Sequence, residues 1–236
     1  MRFVFASDSL KGTISSARAA AILEEEAARA FPNVACTRLA VADGGEGTVD
    51  AVVASLGGAL IEATVSDPLG RPVEATYGML PGNRAIIEMA AASGLPLLTH
   101  AERNPLLTST YGTGQLVLHA LSNGATEVTI AIGGSATNDG GMGAMRALGV
   151  RFLDSAKGEL EGTGADLARV SSIDTSGLDP LVSHARFRLL CDVDNPLLGP
   201  RGATRVFAPQ KGANPQQIEE LEHGMASFAR VLERTL

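Results

Sequence analysis

An α/β fold in two parts, a parallel sheet followed by a mixed one, is the architecture the sequence predicts. Two observations carry that expectation. Twice before residue 58, an apolar strand run leads into a polar, glycine-bearing loop and then a helical pattern. Such units pack through right-handed crossovers into a parallel sheet. From residue 59 the pattern changes to two alternating runs, ALIEATVSD and PVEATYGML, on either side of PLGR, which reads as an antiparallel pair about a tight turn. A boundary near residue 65 then divides the chain into 1–64, parallel, and 65–236, mixed.

The elements follow in order. RFVFAS (2–7) is a strand run ended by DSLKGT, and SSARAAAILEEEAARAF (15–31) has serine at its start and no Gly or Pro. Ala21, Ile22, Ala28 and Phe31 recur there at near-helical spacing, so a capped helix is expected. CTRLAV (36–41) is a second strand, ADGGEG a second loop, and TVDAVVASLGG (48–58) a helix closed by glycine. After the hairpin, AIIEMA (85–90) is a strand and TGQLVLHALSNGA (113–125) a helix with a glycine stop. EVTIAI restores the strand–loop–helix form through IGGSATNDGGMG and AMRALGV. VRFLD (150–154) is a strand, residues 155–178 are loop and short helix, and RFRLLCDV (186–193) is a strand that opens into the long loop ending near Asn214. The closing helix begins at Pro215, a favourable first-turn position, with Glu219 and Glu220 near its positive end.

Composition excludes several classes. Net charge is −7 and aromatic residues make up 4%, with no Trp. Neither an electrostatic footprint for nucleic acid nor a base-stacking platform is expected. No apolar stretch approaches the ~20 residues that span a bilayer, and the apolar run before Asp8 is too short for a signal peptide, so no membrane partner and a cytoplasmic location are expected. Cys36 and Cys191 lie far apart without metal spacing and read as reduced thiols. The four histidines are scattered and receive no role.

Chemistry is concentrated in four loops at predicted strand ends: DSLKGT (8–13), ADGGEG (42–47), GGSATNDGG (133–141) and DVDNPLLGPRGATRVFAPQKG (192–212). Ligands of open α/β sheets bind outside the carboxyl ends of strands. Glycine lets backbone approach an anion, and a following helix supplies free N–H groups. The sequence lacks GxxxxGK[ST], GxGxxG and the HRD/DFG pair, so common nucleotide motifs give no support. Asp8, Asp43, Asp139, Asp192 and Glu46 fall at or just after strand ends, where carboxylates hold Mg²⁺ or take a proton from a hydroxyl. Each alone reads equally well as a helix cap or Asx turn; five together are harder to dismiss. Lys11 and Lys211 are natural point charges for phosphate or carboxylate. The residues alone support an enzyme that binds a small anion with metal help.

Taken together, DSLKGTISS, VADGGEGT, EMAAASGL, RNPLLTSTYGTGQL, IGGSATNDGG, CDVDNPLLG and FAPQKGA resemble the bacterial glycerate kinase family, the one distinct from the archaeal and animal type. The match runs from the first strand to the final helix, and IGGSATNDGG is its most specific part. The resemblance implies transfer of the ATP γ-phosphoryl group to a hydroxyl of D-glycerate with Mg²⁺, giving 2- or 3-phosphoglycerate. It implies two α/β domains around a cleft, one Rossmann-like and discontinuous, the other inserted with a mixed sheet. Members of the family continue past the position of Leu236, so a later segment is expected to complete the Rossmann-like sheet.

On that basis Gly133, Gly134, Ser135, Thr137 and Asn138 would cradle an anionic group, with Asp8, Gly44, Gly45 and Asn195 as further substrate or phosphate contacts. Lys11 and Lys211 would offset charge on the transferred phosphoryl group. Asp43, Glu46 and Asp139 would supply the metal site, and Asp192, at a strand's end, the base. The expected partners are D-glycerate and ATP, and a homo-oligomer is compatible with such a chain. Two rival readings use the same cleft: a non-catalytic module that binds a small carboxylic acid, and a metal-dependent phosphoester hydrolase.

Overall fold

The computed structural model describes residues 1–7, 13, 14, 16–39, 45 and 47–235. It opens with β1 (Arg2–Phe5), α1 (Ser16–Ala30) and β2 (Ala35–Arg38), the two strands pairing in parallel from Arg2↔Ala35 to Phe5↔Arg38. The apolar residues that mark the first strand also seat the helix. Phe3 stacks on Phe5 and meets Phe31 just beyond α1.

α2 (Thr48–Leu56) leads through Gly57 and Gly58 into β3 (Ala59–Ser66), β4 (Pro72–Leu80) and β5 (Arg84–Glu88). β3 pairs with β4 over its whole length, from Ala59↔Met79 to Ser66↔Pro72. The change of topology therefore falls at Gly57–Gly58, and the boundary expected near residue 65 cuts through a strand. α2 also packs on this second group of strands. Gly78 in β4 makes room for it: a Cβ there would lie 2.5 Å from Val53 Cγ2 and 2.9 Å from Ile86 Cγ2. The turn between β3 and β4 is held by Asp67, whose Oδ1 accepts from the Leu69 and Arg71 amides at 2.8 and 2.9 Å.

The chain continues through α3 (Met89–Ser93), α4 (Tyr111–Ser122), β6 (Glu127–Ala131), α5 (Met142–Ala147), β7 (Arg151–Leu153), β8 (Ser172–Asp174), α6 (Pro180–His184), β9 (Arg186–Leu190), α7 (Ala203–Phe207) and α8 (Pro215–Thr235). The second sheet has the order β3-β4-β5-β6-β9. Its first two pairings are antiparallel and its last two, β5–β6 and β6–β9, are parallel. The protein is thus α/β with a parallel and a mixed sheet, as expected. α3, α6 and α7 span five residues each, too short to show a helical period; α3 falls at an expected strand end, α7 in an expected loop, and α6 in a stretch for which no element was expected.

Two cores hold the mixed part. Tyr77, Ile87 and Val128 of the sheet meet Leu116, Val117, Ala120 and Leu121 of α4, all buried. Met142, Phe152, Leu160 and Leu167 meet Leu221, Met225, Phe228 and Val231 of α8. The second core explains why α8 is the longest helix described: its apolar stripe covers the short β7–β8 hairpin and the turn at 164–169, which could not bury a face alone.

Candidate active site

β5, β6 and β9 run in parallel, so their carboxyl ends, at Glu88, Ala131 and Leu190, lie side by side. β4 is antiparallel to β5, which brings the β3–β4 turn to the same end. The loops at 132–141 and 191–202 both leave from this edge.

The 132–141 loop is laced to its neighbours at almost every residue. The Leu95 amide donates to the Gly134 carbonyl at 2.9 Å and the Ala136 amide to the Ser93 carbonyl at 2.8 Å. Thr108 Oγ1 donates to the Ala136 carbonyl at 2.9 Å, and Asn138 Nδ2 to Thr204 Oγ1 at 3.2 Å. Lys211 Nζ donates to Ser135 Oγ at 2.9 Å and to the Thr137 carbonyl at 2.5 Å. Three chain segments distant in sequence thus hold one loop.

Asp139 is the buried centre of this arrangement, at 2% exposure. Its Oδ2 accepts from the Thr110 amide at 2.8 Å, Thr110 Oγ1 at 2.7 Å and the Gly143 amide at 3.1 Å, while Oδ1 accepts from the Gly141 amide at 3.1 Å. Burial pushes its pKa up and the four donors pull it down, burial being the larger influence. An unpaired buried carboxylate costs several kcal/mol. Hydrogen bonds to a charged group contribute roughly 1.5–3 kcal/mol each, so the four donors offset part of that cost. Asp139, expected as a metal ligand, accepts four hydrogen bonds within the protein, where its oxygens latch α4 and α5 to the loop.

Lys211, expected to offset charge on the transferred phosphoryl group, is likewise engaged within the protein. It is 8% exposed, and burial lowers its pKa to about 8 from 10.5, with the Asp139 charge opposing that shift. It stays cationic at neutral pH, but its ammonium is directed at Ser135 and Thr137 and pins the loop. A lysine ammonium can only donate. Ser135 Oγ is therefore an acceptor toward Lys211, which leaves the hydroxyl proton free to point elsewhere.

The remaining expected residues separate by exposure. Thr137 and Asn138 are buried, whereas Gly134 is exposed and Gly133 and Ser135 are half-buried. Only those last three form an accessible rim. Asn195 is half-buried, and its Nδ2 donates to the Arg201 carbonyl at 2.8 Å, bracing the 191–202 loop. Asp192, two residues past the end of β9, is exposed. Asp8, Lys11, Asp43, Gly44 and Glu46 lie outside the described residues. Gly45 is buried and its carbonyl accepts from the Thr48 amide at 3.3 Å.

Some positions were missed by residue-level reasoning. Glu88 ends β5, and its Oε1 accepts from the Val49 amide of α2 at 2.7 Å. That bond ties the helix following the 42–47 loop to the carboxyl edge. Thr108, Thr110, Ser93 and Thr113 supply buried hydroxyls, the last two bonded to each other at 2.7 Å. The signal for the three threonines was the hydroxyl-rich TSTYGTG stretch, and Ser93 lies in EMAAASGL; their partners are invisible in one dimension. Among the described residues, no three His, Cys, Asp or Glu side chains gather as a metal cluster, and no helix is long and apolar enough to cross a membrane.

The sequence profile of the glycerate kinase family matches residues 3–236. The chain belongs to this family. Over its whole length it is 47% identical to the glycerate kinase of Bacillus subtilis (strain 168) and 45% identical to the glycerate 2-kinase of Escherichia coli (strain K12). It spans 62% of the length of each of those relatives. A crystal structure of a candidate glycerate kinase 2 from Salmonella typhimurium LT2 superposes with a TM-score of 0.85 at 43% identity, over 99% of this chain and 63% of that one.

Proposed function

We propose that the chain carries the phosphoryl-acceptor edge of an ATP-dependent D-glycerate kinase. One observation in the structure supports this most: an accessible Gly133–Ser135 rim and an exposed Asp192 follow two adjacent parallel strands at the same edge of the sheet. Family membership supplies the reaction. Phosphoryl transfer asks mainly for positioning and charge neutralisation, and this edge offers both.

In the reaction, a glycerate hydroxyl oxygen attacks the γ-phosphorus and the bond from that phosphorus to the β,γ-bridging oxygen breaks. The hydroxyl proton passes to the Asp192 carboxylate, and ADP leaves. The Ser135 hydroxyl, with Lys211 on its acceptor side, donates to an anionic oxygen of ATP or glycerate. The naming of the 45%-identical relative as a glycerate 2-kinase favours the 2-hydroxyl as acceptor. Mg²⁺ is held largely by water and phosphate oxygens with one or two carboxylates. Asp192, exposed at this edge as Asp194 also is, would supply such a carboxylate, with Asp43 and Glu46 as further candidate ligands; the ion would neutralise phosphate charge. We place the two-domain cleft, with a Rossmann-like part completed by polypeptide beyond this span, and a cytoplasmic location within the same proposal.

The test is ADP release with D-glycerate as the acceptor. D-glycerate-dependent ADP formation supports the kinase. Glycerate binding without ADP formation would favour the carboxylate-binding module, and phosphoester hydrolysis without ATP the hydrolase.

A further inference from the structure

Three arginines near this edge are ion-paired. Arg71 meets Asp67 and Glu102, Arg146 meets Glu159 and Glu161, and Arg205 meets Glu219 and Glu222. Arg103 differs. Among the described residues it forms no ion pair, and its Nε is shielded from water without a hydrogen-bond acceptor. Arg146 Nε is also unsatisfied, but its terminal nitrogens already face carboxylates. Arg201, on the 191–202 loop, is exposed and can be satisfied by solvent.

Arg103 has a fixed root. Gly212, at φ +96°, lies so close that a Cβ there would sit 2.2 Å from the Arg103 carbonyl oxygen and 2.8 Å from its Cβ. Asn104 accepts from Gln217 Nε2 at 3.2 Å, fastening the same segment to the first turn of α8. The residue before Gly212 is Lys211, whose ammonium reaches Ser135. Arg103 is therefore rooted beside the one lysine described in the loop cluster, and that lysine is spent on the protein. The neighbouring Glu102 cannot serve as its acceptor by default, because its carboxylate bonds Arg71 at 2.6 Å and Thr99 at 2.8 and 2.9 Å. Nε itself is closed to solvent, but the terminal nitrogens of half-buried Arg103 are neither shielded nor partnered among the described residues; they are the donors left for an acceptor from outside the chain, and a guanidinium fork matches a carboxylate in shape and charge.

We infer that Arg103, rather than Lys211, is the cation that meets the substrate at this edge, and that it binds the carboxylate of a small 2-hydroxy acid. This rests on the proposed function and adds the residue that recognises the acid. Lys211 holds the loop and Arg103 supplies the exchangeable charge.

The experiment is calorimetric titration of the chain with D-glycerate, inorganic phosphate and ADP, in wild type, Arg103→Met and Arg103→Lys. Loss of a charge-assisted bond weakens D-glycerate binding about 10- to 100-fold in Arg103→Met, with partial recovery in Arg103→Lys and ADP affinity within about twofold. Wild-type binding of D-glycerate that persists undiminished in Arg103→Met overturns the inference and leaves the kinase reading intact. Loss of phosphate or ADP binding alone overturns the carboxylate assignment. A wild type that binds none of the three probes overturns both readings. Should Arg103→Met fail to fold, wild type treated with phenylglyoxal decides: saturating D-glycerate shields Arg103 from modification, as mapped by peptide mass, and unshielded modification sinks the idea.

Discussion

Asp139 and Asp192 have similar sequence addresses and opposite fates. Each follows a parallel strand, β6 or β9, and the two strands are hydrogen-bonded neighbours. Asp139 is enclosed by α4 and α5 and accepts four hydrogen bonds; Asp192 is exposed. What differs is the cover. The loop after β6 lies beneath segments 93–95, 108–110 and 204–211, whereas β9 is the edge strand, with Phe187 40% and Leu189 67% exposed. A carboxylate under cover becomes structure. One at an open strand end stays in reach of solvent and of a ligand.

The largest expected effect separates the two directly. On the proposed kinase reading, Asp192→Asn in the full-length protein should lower turnover by about 10²- to 10⁴-fold, as for loss of a general base, while shifting stability by no more than about 0.5 kcal/mol, the range for surface changes. Titrating Mg²⁺ refines the role: a base variant keeps the wild-type metal requirement, whereas a ligand variant needs more metal. A rate within about twofold of wild type would remove Asp192 from the chemistry.

Asp139→Asn should do the reverse in kind. An amide presents only one oxygen to four donors and turns its NH₂ toward some of them, so a loss of about 2–4 kcal/mol in urea unfolding is expected. An unchanged midpoint would mean that the latch is not structural.

Lys211 offers a pH-dependent version of the comparison. Its folded pKa, about 8, lies below the ordinary 10.5. Between those values the unfolded chain binds the extra proton, so this group makes stability rise with pH. Below pH 8 it is protonated in both states and contributes no slope. Relative to Lys211→Met, wild-type stability should climb from pH 8 to 10.5, measured by denaturant midpoints at each pH. Parallel curves for the two proteins would contradict the assigned burial. The smallest effect belongs to the open loop: Asn195→Ala removes one bond to the Arg201 carbonyl and should cost about 0.5–1.5 kcal/mol.

Much of this was legible in the residues. The strand–loop–helix rhythm located β1 through α2, and the PLGR turn located the β3–β4 hairpin, because period and turn chemistry are local. IGGSATNDGG stood out as the loop that organises the site. The division expected near residue 65 falls inside β3, a strand that pairs with β4 along its whole length. Glu88 was passed over because a glutamate at a strand's end has no local signature; its meaning comes from α2, whose Val49 amide it receives.

By itself, then, the sequence determined the order and kind of the main elements, the family, and the small set of polar loops in which chemistry resides, since these depend on neighbours along the chain. Only the tertiary structure decided which polar groups those loops keep. Asp139, Lys211, Thr137 and Asn138 looked as available as Asp192, Gly134 and Ser135. The first four are buried and the last three are partly or fully open. The physical reason is that desolvation depends on atoms brought from far along the chain, here Thr110, Thr204 and the 209–212 turn, which close over one strand end and leave its neighbour uncovered.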